Sequence, residues 1–145
     1  MKDNIMQDKK TELIEEELAN SKDYAKFMNE NENVISEIHP GLYLSNLITI
    51  SGAKKSQVVA KLDINTGYAY EILRQEKLPD RDKMLQFAFA LNMNIDESQK
   101  MLKKCGYANL YVKNPRDAIV YYCITRRQSL IDANIMLSKQ GHGLL

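Results

Sequence analysis

The chain has 145 residues, 44% of them apolar and 27% charged, enough for a core in one domain with small appendages. No apolar run approaches the ~20 residues that cross a bilayer, and the opening MKDNIMQDKKTEL lacks the apolar stretch of a signal peptide, so the expected location is the cytoplasm. The net charge of +1 conceals two opposed segments: residues 1–37 carry five Lys against ten Asp/Glu, a net of −5, and residues 38–145 carry fifteen Lys/Arg against nine, a net of +6. An acidic head on a mildly basic body suits a nucleic-acid binder whose arm faces away from the phosphates; it suits equally a protein with no such partner.

Helical periodicity runs through the chain and no alternating strand pattern appears. Thr11 to Ala19 puts Leu13, Ile14 and Leu18 on one face among glutamates. Ser21 is placed to cap a short helix carrying Tyr24, Phe27 and Met28, and Asn29 to Asn33 reads as a linker. Residues 1–37 are therefore expected to form an acidic amphipathic arm in need of a partner surface. Pro40 opens the next helix, with Leu44, Leu47 and Ile48 inward, and Ser51-Gly52 closes it. Further helices are expected over Lys54–Leu62, Asn65–Arg74, Arg81–Leu91, Ile95–Cys105, Pro115–Arg126 and Leu130–Gln140. Asp80, Asn94 with Glu97, Asn114 before Pro115, and Ser129 with Asp132 have capping chemistry, and Gly106 and Gly141 stand just past helix ends.

Lys54 to Asp80, KKSQVVAKLDINTGYAYEILRQEKLPD, holds two short helices around a three-residue turn. Val58, Val59, Leu62, Ile64, Ala69 and Ile72 fall where such a pair buries its shared face, the pattern of a helix-turn-helix. With the helix through Leu44–Ile48 before it and LPDRDKMLQFAFALNMNIDESQKML after it, the run from Leu42 to about Leu102 resembles the Xre (Cro and phage-repressor) family. More closely, it resembles a Firmicutes-type subgroup with a helical tail, matched here by LYVKNPRDAIVYYCITRRQSLIDANIML. The resemblance implies an all-α fold: an arm at 1–37, a five-helix repressor-like domain at 38–106 and a two-helix extension at 107–145. Val59 stands where that family usually has Ala, and Asp63 where it has a turn Gly, a position that asks for left-handed backbone.

The resemblance also implies a sequence-specific duplex-DNA-binding regulator, acting as a homodimer on paired half-sites. Its DNA contacts would be Lys54, Lys55 and Ser56 at the first helix, Asn65, Thr66, Gly67, Tyr70 and Glu71 on the second, and the flanking Arg74, Lys77 and Arg81. Asn65 would also cap the second helix, and Tyr70 would reach a thymine methyl or a phosphate. Lys61 belongs to the same cationic frame, while Tyr68 is expected at the core edge. The alternative is a helix-turn-helix kept as a protein-interaction module, an adaptor or antagonist, with the arm or C-terminal helices meeting a protein partner. No phosphate-cradling glycine loop, nucleophile elbow or HExxH pair occurs, so no enzyme activity and no cofactor are expected. His39 and His142 stand apart, and no metal site is expected. Cys105 and Cys123 lack metal-type spacing and are expected to be buried free thiols. Arg116 and Asp117, at a helix start, are expected to be structural.

Overall fold

The computed structural model describes residues 11–31 and 38–145. Among them are nine α-helices and no strand: α1 (Thr11–Asn20), α2 (Tyr24–Glu30), α3 (Pro40–Ser51), α4 (Lys55–Ala60), α5 (Thr66–Leu73), α6 (Arg81–Ala90), α7 (Ile95–Lys104), α8 (Pro115–Thr125) and α9 (Leu130–Lys139). The chain divides into two units, Met1–Glu37 and Ile38–Leu145. No helix among the described residues is long and apolar enough to cross a membrane.

In the first unit, α1 buries no side chain, and Leu13 and Leu18 of its apolar stripe are each 46% exposed. The cap of α2 is Asp23, whose carboxylate accepts from the Lys26 N–H at 3.1 Å, and not Ser21, whose hydroxyl donates to the Asp23 carbonyl. Asn29 and Glu30, expected in a linker, belong to α2; residues 32 and 33 of that stretch lie outside the described residues.

The second unit has one continuous core. Leu44 and Ile48 from α3, Val58 and Val59 from α4, Ile72 from α5 and Met84, Leu85 and Phe87 from α6 meet Met101 and Leu102 from α7. Leu110, Val120, Ile124, Leu130 and Leu137 belong to that same cluster, so residues 107–145 are built into the core of 38–106. Polar caps start the helices where expected: Asp80 accepts from Lys83 N–H, Asn94 from Glu97, Asn114 from Asp117 and Ser129 from Asp132. His39 adds another, its Nδ1 accepting from the Gly41 N–H at 3.0 Å.

Two polar straps and two ion pairs fix the extension. The Gln99 amide donates to the Leu110 carbonyl at 3.0 Å and accepts its N–H at 2.8 Å, pairing with the backbone as a strand would. The first turns of α6 and α8 both carry an Arg-Asp dipeptide, and the two grip crosswise. Arg81 holds both oxygens of Asp117 at 2.9 and 2.8 Å, and Arg116 holds both oxygens of Asp82 at 2.8 and 3.0 Å. Two-pronged charge-assisted contacts of this kind specify geometry as well as adding energy.

Candidate nucleic-acid interface

The α4–α5 pair is short because its work is done by few residues. Val58 and Val59 are buried on α4, Ala69, Ile72 and Leu73 on α5, and Leu62 and Ile64 pack half-buried from the connection. Two contacts from α3 clamp α5, and a third, from α6, braces the connection before it. Gly41 of α3 lies so close that a Cβ there would come within 1.9 Å of the Ile72 carbonyl oxygen. The Ser45 hydroxyl donates to the Leu73 carbonyl at 2.9 Å. From α6, the buried Gln86 side chain accepts the Asp63 N–H at 2.8 Å, bracing the connection between α4 and α5. Asp63 itself has no left-handed backbone, contrary to the expectation for that turn. The left-handed residue is Gln75, just past α5, at φ 66°.

The start of α5 is open. Asn65 caps the helix, accepting from the Tyr68 N–H at 3.1 Å, and Asn65, Thr66 and Gly67 are exposed while Tyr70 and Glu71 are half-buried. Tyr68 packs against the core with the Lys83 ammonium 5.7 Å from its ring centre and its hydroxyl on the Leu78 carbonyl. Lys54, Lys55, Ser56 and Lys61, around α4, are exposed, as is Lys77 beyond α5. Among the described residues none of these four lysines forms an ion pair. Lys54 does not cap α4; the Gln57 side chain instead accepts the Lys54 N–H at 3.3 Å.

The two arginines of the expected contact set are differently placed. Arg74 is exposed but bound to both oxygens of Glu76 at 3.0 and 3.1 Å, and that hydrogen bond lowers the Glu76 pKa and raises its own. Arg81 turns into the extension, where besides Asp117 it donates to the Ala108 and Asn109 carbonyls at 3.0 Å each. Its guanidinium is used up inside the protein. The sequence held no sign of this, because the partner lies 36 residues away.

Elsewhere, the described residues contain no cluster of three or more His, Cys, Asp or Glu able to hold a metal. Both cysteines are free; Cys123 is buried and Cys105 half-buried, with burial pushing the Cys105 thiol up to about 11. Comparison with family models, curated proteins and solved structures finds no match.

Proposed function

We propose that the chain is a cytoplasmic, non-enzymatic regulator that binds duplex DNA, with α4 and α5 as a helix-turn-helix inside a repressor-like five-helix set, α3 to α7. The observation that carries this reading is a short helix held against α3 at Gly41 and Ser45 whose starting residues Asn65, Thr66 and Gly67 are exposed, with Lys54, Lys55 and Lys61 exposed around α4, Lys77 exposed beyond α5, and none of the four in an ion pair among the described residues. A rigid, solvent-facing helix of this size fits a major groove, and lysines at its edges meet phosphates. Asn65, Thr66, Gly67 and Tyr70 would face the bases, and Glu71 could accept from a cytosine amine. Lys54, Lys55, Lys61 and Lys77, with Ser56, would set the register. A symmetric pair of chains would occupy two half-sites.

Fluorescence anisotropy with a labelled random duplex tests this. Four phosphate contacts per chain predict a slope of roughly −3.6 for log K against log salt, and Lys54→Ala with Lys55→Ala should reduce its magnitude by about 2. Absence of binding at low ionic strength would refute it. A second reading, a helix-turn-helix serving protein contacts, is favoured by the placement of Arg74 and Arg81: neither guanidinium stands free to read a guanine. Salt-insensitive DNA binding, or none, would favour that reading.

A further inference from the structure

The last helix leaves an apolar strip bare. Ile131 and Ile135, one turn apart on α9, are 72% and 48% exposed, and Leu144 is 52% exposed. Together with Asp63, Asn134 and Lys139 they line an open groove of about 470 Å3. The strip is firmly mounted: Ala133 and Leu137 of the same helix are fully buried, and the Asn134 side chain accepts the Leu145 N–H at 2.9 Å. Leu144 is thereby held beside α9.

The charges on the groove suggest its occupant. Asp63 comes from the α4–α5 connection and Lys139 from the last turn of α9, and both are exposed. They line one groove, yet no ion pair joins them. A face with one apolar strip and one exposed charge of each sign is complementary to itself under a two-fold rotation. We propose that this face binds a second copy of the chain, the isoleucines of each entering the groove of the other and Lys139 of each meeting Asp63 of its mate. A handful of side chains falls short of the ~800 Å² per partner of a standard interface, so the association belongs to the weak class. This inference does not rest on the DNA reading, and its test contains no DNA.

Sedimentation of the full chain from about 10 to 500 μM should show a monomer–dimer equilibrium in that range. Ile135→Glu should leave a monomer that melts like the parent in dilute solution, because the side chain is half exposed. Asp63→Lys and Lys139→Asp should each weaken association about tenfold, since each turns two attractive contacts repulsive, and the double variant should return to within about threefold of the parent. A parent that stays monomeric throughout leaves the strip to another occupant and overturns the proposal. So does a dimer indifferent to Ile135→Glu, or a double variant no better than the single ones.

Discussion

Gln75, Asn92 and Arg127 occupy left-handed backbone at φ 66°, 51° and 57°, each just past a helix end. In all three the next N–H reaches back five residues along the chain, Glu76 to the Glu71 carbonyl, Met93 to Ala88 and Gln128 to Cys123, as Tyr107 does to Leu102 after Gly106. Glycine adopts that conformation at little cost, other residues less easily. Gln75→Gly should therefore raise stability by up to about 1 kcal/mol in urea unfolding, the left-handed penalty of about 1–2 kcal/mol less glycine's own entropy cost. Arg127 is a poorer choice, because its guanidinium also holds the Asn92 carbonyl at 2.6 Å. Gly41 is the opposite case. Gly41→Ala should cost about 3 kcal/mol or more and separate α3 from α5, seen as a large drop in melting temperature. Glycines past helix ends could be foreseen from spacing alone; Gly41 could not, because the atom it makes room for lies 31 residues on. Burial also makes Cys105 unreactive. With its pKa raised to about 11, its alkylation at pH 8 should run about a hundredfold slower than that of an exposed cysteine.

At the scale of elements, helix starts were legible because a cap is a local event: Asp80, Asn94, Asn114 and Ser129 each bond the N–H three residues on. The N-cap of α2 was misplaced by two residues because Ser21 and Asp23 offer competing oxygens, and the carboxylate takes the helix. Tertiary ties left no such trace. Each Arg-Asp dipeptide of α6 and α8 reads as an ordinary charged first turn until the other is brought against it. Arg81→Ala should cost about 2–3 kcal/mol by stranding Asp117, with faster amide exchange across 107–125. Burial pushes the Asp117 carboxyl up, but the Arg81 hydrogen bond, the Tyr111 N–H and the charges of Arg81 and Arg116 bring it below its ordinary value. A depressed folded pKa adds stability above the unfolded value of ~3.9, lost as pH falls through the folded one. Asp117→Asn should flatten the acid side of the stability profile in that window, whatever it does near neutrality.

For the molecule as a whole, composition and periodicity were enough for the all-helical character of the described residues, and the change of charge near residue 37 coincides with the boundary between the two units. The relation of 107–145 to the rest was not legible, since apolar residues on α8 and α9 show only that they are buried, not against what. The outward side of α5 was legible as a list of residues but not as a set of available groups; the engagement of Arg74 and Arg81 changes the expected charge count. That count is measurable: a salt slope nearer −5 than −3.6 would mean that those arginines leave Glu76 and Asp117 for phosphate.

The crossed Arg-Asp grip bears on how portable the α3–α7 set can be. A fragment ending at Gly106 would face water with Arg81 and Asp82 deprived of their mates, and with the bed under Leu110, Val120 and Ile124 stripped open. Such a fragment should be sticky and loosely packed. Anyone grafting the α5 surface onto another protein should carry residues 107–145 along with it.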